Sequence, residues 1–226
     1  MGERRVAVKV WDGWVRLFHW GTVACVAISY ATAQMDAWQL HYLSGYTLLA
    51  LVIFRILWGL VGSANARFAT FLRSPLAGFR ELARFTRREP DTEMTHNPAG
   101  AWMVLLLLLM LLVQAVSGLF TNHDVGFTYS AHGPLANSVS EAASERASAL
   151  HVSFINLLLA AIALHVLAVL AYALVKRQDL VRPMVTGVKR LPDSAAPAPR
   201  HAPALLGLVL LGASAAAVWW VTGLRG

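Results

Sequence analysis

Five long stretches constrain this chain more than any other feature, because each is free of charged side chains except for one arginine. They cover residues 17–35, 37–54 with a continuation past Arg55 to 66, 94–123, 147–175 and 201–224. A helix needs about 20 consecutive apolar residues to cross the hydrocarbon core of a bilayer. The runs are continuous rather than alternating, which excludes a closed transmembrane β-barrel. They predict helices over about 15–35, 40–61, 100–120, 149–175 and 203–223. Composition agrees: 57% of the 226 residues are hydrophobic and 14% are charged. Soluble domains run at about 45–50% and about 25%, and a soluble fold of this size has too much surface to hide such an excess. The predicted fold is an all-α integral membrane protein, a four-helix transmembrane bundle plus a fifth C-terminal helix. Residues 1–190 form its membrane domain, 191–202 a proline-rich linker and 203–226 the fifth helix. That last helix has no ionisable residue in its span and is rich in small residues, as packing or assembly helices are.

The formal charge of +7 is a topological signal rather than a nucleic-acid signal. Arg4, Arg5, Lys9 and Arg16 lie on the N-terminal tail, and six arginines between Arg67 and Arg88 follow the second helix. Six more cations, from Lys176 to Arg200, follow the fourth helix. Five crossings put these 16 of the 19 cations on one side, while Arg146 and Arg225 stand opposite. The positive-inside rule then places the N-terminus in the cytoplasm and the C-terminus in the periplasm, in a multi-pass protein of a bacterial inner membrane. A basic start, an apolar stretch and Ala31-Thr32-Ala33 also resemble a secretory signal. The stretch is long for a signal, however, holds His19 and Gln34, and runs almost directly into a second apolar segment, so a retained first helix is expected.

The single cysteine, Cys25, excludes a disulfide framework, a cysteine-based zinc site and a thioether-linked haem. Any cofactor must be held by other ligands, and the histidines supply candidates. Ionisable side chains at membrane depth are rare and mark functional sites by default, though a lone histidine can equally satisfy an interhelical hydrogen bond. Of the eight histidines, four fall within the predicted helices. His19 lies near the inner start of the first helix and His41 at the outer start of the second. His151 and His165 share one face of the fourth, 14 residues apart and so about 21 Å along its axis. His41 matches His151 in depth on the outer side, and His19 matches His165 on the inner side. Two imidazoles facing one another across a bundle can supply both axial ligands of a haem iron. The pattern predicts two bis-histidine haem b sites, one near each membrane face. His96, His123, His132 and His201 fall in loops or flanks and are expected to be solvated.

Arg55 shares the face of His41 but lies near the inner surface, where an inner haem propionate is the expected partner. Its alternative is snorkelling to lipid phosphates. Gly45 one turn after His41, Ala161 and Ala168 around His165, and Ala147 before His151 leave room for a flat macrocycle, although small residues also simply pack helices. A zinc site fits poorly, since the four histidines differ too much in depth to converge and have no carboxylate among them. A haem-free proton-coupled transporter or membrane anchor is a further alternative, but a transporter would be expected to place Asp or Glu within its helices.

Several short motifs carry a resemblance to a known family. They are Trp11-Asp12 with Val15-Arg16-Leu17-Phe18-His19-Trp20, His41 with Gly45-Tyr46, Phe54-Arg55-Ile56-Leu57-Trp58-Gly59, Ser117-Gly118-Leu119-Phe120, and the His151/His165 pair with residues 180–187. Over roughly residues 8–190 the sequence resembles the prokaryotic cytochrome b561 family, including the b-type cytochrome subunits of nickel-iron hydrogenases. The resemblance implies a four-helix core holding two haem b groups, with His19, His41, His151 and His165 as ligands. It also implies electron transfer between a quinone and a periplasmic partner such as a cytochrome c or a hydrogenase subunit. The fifth helix departs from the minimal form and could seat a partner; a homo-oligomer is also allowed. Asp124, Glu141 and Glu145 against Arg146 make the outer loop mildly acidic, suited to a basic cytochrome c or merely solvated. An enzyme that oxidises superoxide and reduces quinone is the alternative, but the outer face offers few cations to guide an anion.

Overall fold

The computed structural model describes residues 4–87, 91–125, 129–193 and 198–223, without the side chains of 123–125 and 129–131. Arg88, Arg225 and the side chains of His123 and Asp124 therefore lie outside the described residues. Helix α1 spans Gly13–Gln34 and α2 Trp38–Val61. Short helices α3, Phe68–Phe71, and α4, Pro75–Ala83, follow. Helix α5 covers Pro98–Leu119 and α6 Glu141–Ala171, the latter continuing as a π-helical turn over Tyr172–Lys176. Helix α7, Val181–Thr186, precedes the C-terminal α8, Ala204–Gly223.

Local chemistry sets these boundaries. Asp12 caps α1, its Oδ1 accepting from the Val15 backbone at 2.8 Å, which satisfies one of the orphan donors of the first turn. Asn97 caps α5 in the same way, accepting from Gly100 at 2.7 Å, with Pro98 at the first helical position where its missing N–H costs nothing. Asp36, in the left-handed region at φ 53°, reverses the chain between α1 and α2. Arg177, at φ 56°, ends the α6 rod.

Among the described residues four helices are long and apolar enough to span a membrane: α2, α5, α6 with its π-helical turn, and α8. Helix α1 has 22 residues but falls short in hydropathy, because Arg16, His19, Thr22, Ser29, Thr32 and Gln34 lie along it. Helix α6 starts at Glu141 rather than near 149, since its first two turns are polar and carry no hydropathy signal. The chain also contains two small antiparallel ribbons absent from an all-α reading. Strand β1, Arg5–Lys9, pairs with β4, Val188–Pro192, with Ala7 opposite Arg190. Strand β2, Asn122–Val125, pairs with β3, Tyr129–His132. Residues 191 and 192, expected to open the linker, thus belong to a strand. Beside it Gly187, at φ 81°, accepts through its carbonyl from both Val10 and Trp11. A Cβ there would lie 2.7 Å from the Trp11 carbonyl oxygen.

The residues group into two compact units. The first comprises Met1–His19, Arg55–Leu106 and Ile162–Leu208. Within it Asp12 also accepts from the Trp58 indole at 3.1 Å, and Trp58 is fully buried. Gly207 of α8 lies so close to Trp14 of α1 that a Cβ would overlap the indole. The second comprises Trp20–Phe54, Leu107–Ala161 and Val209–Gly226. Its core gathers Leu49, Ala50, Leu119 and Val218, and buried Ser144 and Ser148 of α6 bond the backbone of Phe120 and Asn122 at 2.7 and 2.8 Å.

Candidate functional site

Each unit contains one of the histidine pairs expected from the sequence. In the second, the rings of His41 on α2 and His151 on α6 stand with centroids 6.2 Å apart and planes at 88°. An imidazole nitrogen bonds a metal ion at about 2 Å, so two rings sharing one ion from opposite sides have centres about 6 Å apart. Nδ1 of His41 donates to the Ser29 carbonyl at 2.9 Å, and Nδ1 of His151 to the Gln114 carbonyl at 2.9 Å. Carbonyl oxygens only accept, so each ring carries its proton on Nδ1 and its lone pair on Nε2. Outer partners that set the tautomer in this way are what metal-ligating histidines need.

The surroundings of His151 are closely made. The Gln114 amide nitrogen donates to the His151 carbonyl at 3.0 Å and lies 3.2 and 3.4 Å from the two ring nitrogens. Ser117 Oγ is 3.3 Å from Nδ1. A Cβ on Gly118 would come within 2.8 Å of the ring carbon Cε1, so glycine here is a condition of the ring's position. Gly45, one turn beyond His41, is the opposite case: a Cβ would meet nothing within 4 Å. Among the described residues no three His, Cys, Asp or Glu side chains converge on a point. The two imidazoles could hold a metal whose other ligands come from a cofactor, as those of a haem iron do.

In the first unit, His19 on α1 and His165 on α6 are both partly buried and lie within electrostatic reach of each other. Arg55 on α2 is 3% exposed. Its guanidinium stands 5.1 Å above the ring of Phe68 and 6.0 Å from that of Phe18, and Nη1 is sealed from solvent with no acceptor in reach among the described residues. Asp12 is near enough to act on Arg55 electrostatically, but its two oxygens accept from Val15 and Trp58. An anion from outside the chain would complete this group, and a haem propionate would supply the charge.

His96 corrects the expectation of a solvated loop residue. Its ring lies between Trp11 and Phe71, at centroid distances of 4.9 and 5.0 Å. Burial, then the neighbouring Arg55, His165, Lys189 and His19, pushes its pKa down to about 3. It precedes the capping Asn97, so the close-packed start of α5 carries it inward. His132 and His201 are exposed, as expected. Sequence reasoning also passed over Gln114, a lone amide in an otherwise apolar stretch of α5. Its cost at that depth was the available signal.

Apolar helices long enough to cross a membrane, with partly buried histidines brought near one another two by two, are features of a membrane cytochrome of the b type. The chain belongs to the prokaryotic cytochrome b561 family, whose model matches residues 10–187. It is thus a prokaryotic membrane protein that binds b-type haem and transfers electrons. Comparison with curated proteins and with solved structures gives no match.

Proposed function

We propose that this cytochrome holds two b haems and passes electrons between the membrane quinone pool and a periplasmic partner of the cytochrome c or hydrogenase type. His41 and His151 ligate the outer haem, and His19 and His165 the inner one. The observation that carries this reading is the division of four histidines into one pair per unit, with the outer rings spaced for a shared iron.

Bound haem supplies a one-electron couple; everything else is done by the chain. The Ser29 and Gln114 carbonyls hold the outer imidazoles in the tautomer that presents Nε2. Gly118 and Gly45 leave space for a ring and a flat macrocycle. Arg55 offsets the charge of an inner propionate. The spacing of His151 and His165, 14 residues on one helix or about 21 Å, divides a core of about 30 Å.

Helix α1 joins the four apolar helices as a fifth crossing. Its 22 residues measure about 33 Å. The distribution of cations supports an N-terminus in the cytoplasm and a C-terminus in the periplasm. The quinone meets the chain at the cytoplasmic side. The test is to add quinol anaerobically to the purified, oxidised protein. Appearance of the reduced b-type bands, reversed by excess quinone, is expected; bands that respond to dithionite but never to quinol would overturn the quinone role.

A further inference from the structure

Nη1 of Arg55 and Nδ1 of His96, both in the first unit, are buried with no hydrogen-bond partner among the described residues. They rest on one aromatic platform. Arg55 stands over Phe68, His96 packs on Phe71, and those two rings are in contact at 5.9 Å. Trp11 also packs against the imidazole, with centroids 4.9 Å apart. Arg55 is the charged neighbour that acts on His96 most strongly, with His165 next. Among the described residues, Asp12 and Asp91 are already committed. Asp12 serves Val15 and Trp58, while Asp91 takes Lys189 at 2.7 Å. A buried polar nitrogen left unmet is costly, and more so when charged, so these two on one platform call for one shared anion.

We infer that His96 is a second anchor, beside Arg55, for a propionate of the haem held by His19 and His165. The inference deepens the haem reading above and rests on it. A neutral imidazole protonated on Nδ1 gives the carboxylate one hydrogen bond, and the guanidinium gives it a charge-assisted one. His96 is a positioning residue: it fixes the macrocycle's edge and stabilises the carboxylate, and thereby sets how far that negative charge favours ferric iron.

The test compares His96→Leu with His96→Gln in the full-length, haem-loaded protein. It uses haem-to-protein ratio, potentiometric midpoints and the propionate bending band in resonance Raman spectra. In His96→Leu the midpoint of one haem is expected to fall and its propionate band to shift, with the other haem unchanged. Should the leucine variant shed that haem instead, the glutamine variant, which keeps an N–H donor, retains it. In a His165→Ala background, which keeps only the outer haem, His96→Leu should leave the remaining midpoint unmoved. A leucine variant that keeps both haems with unmoved midpoints and an unmoved band overturns the inference, as does equal haem loss in both variants. Wild-type protein without b-type bands would overturn the haem reading itself, a result plainly different from these.

Discussion

Gly118 shows how far one position can govern a cofactor site. With His151 Cε1 only 2.8 Å from where its Cβ would be, any side chain displaces the ring from its place opposite His41. Gly118→Val is expected to lower the haem-to-protein ratio from about two to about one while the protein still inserts and folds. Gly212→Ala, where a Cβ meets nothing within 4 Å, should leave the ratio unchanged; parallel pyridine-haemochrome assays make the comparison. The histidines themselves were legible in the sequence because an imidazole at membrane depth has few bland explanations. Ser29 was not, because its contribution is a backbone carbonyl and any residue type could provide it. His96 was misread for a related reason: loop position suggests solvent, and only the packing of Trp11 and Phe71 reveals otherwise.

Elements meet through a few polar bonds made in apolar surroundings. Asp12 ends one chain segment and begins another, capping α1 while accepting the indole N–H of Trp58 on α2. Asp12→Ala removes a cap, typically about 1 kcal/mol, and strands a buried indole donor at about 1–3 kcal/mol. A loss of about 2–4 kcal/mol is expected, read as a lower midpoint of thermal unfolding in detergent, with Asp12→Asn recovering part of it. In the same unit, Lys176 in the π-helical turn holds Glu81 of α4 at 2.8 Å, and Tyr172 donates to the same oxygen at 3.1 Å. The Lys176 side chain is 3% exposed, so Glu81→Gln leaves an ammonium buried without its counter-charge. Breaking such a pair costs about 3–5 kcal/mol, and the same thermal assay should show it as a larger loss than Asp12→Ala. Helix positions were legible because apolar runs report the lipid-facing part of each rod. The polar start of α6 and the β1–β4 ribbon were not, since the first lies beyond the apolar run and the second depends on pairing between segments some 180 residues apart.

For the molecule as a whole, the uneven distribution of charge and the paired histidines describe one device. Of the 19 cations, 16 fall on three segments, which the topology proposed above puts on one face, oriented for the proposed exchange between quinone and periplasm. The helical membrane character was readable from the apolar runs and the family from its short motifs; the units that house each pair were not, because they arise from tertiary packing across three separate stretches. The central claim is that two histidine pairs hold two haems. It is tested most directly by the haem-to-protein ratio of the wild type beside His151→Ala and His165→Ala, with dithionite-reduced minus oxidised spectra of each. The expected result is a ratio of about two in the wild type and about one in either variant, the remaining haem keeping its low-spin b-type bands. Retention of both haems in either variant, or a wild-type ratio of about one, would contradict it.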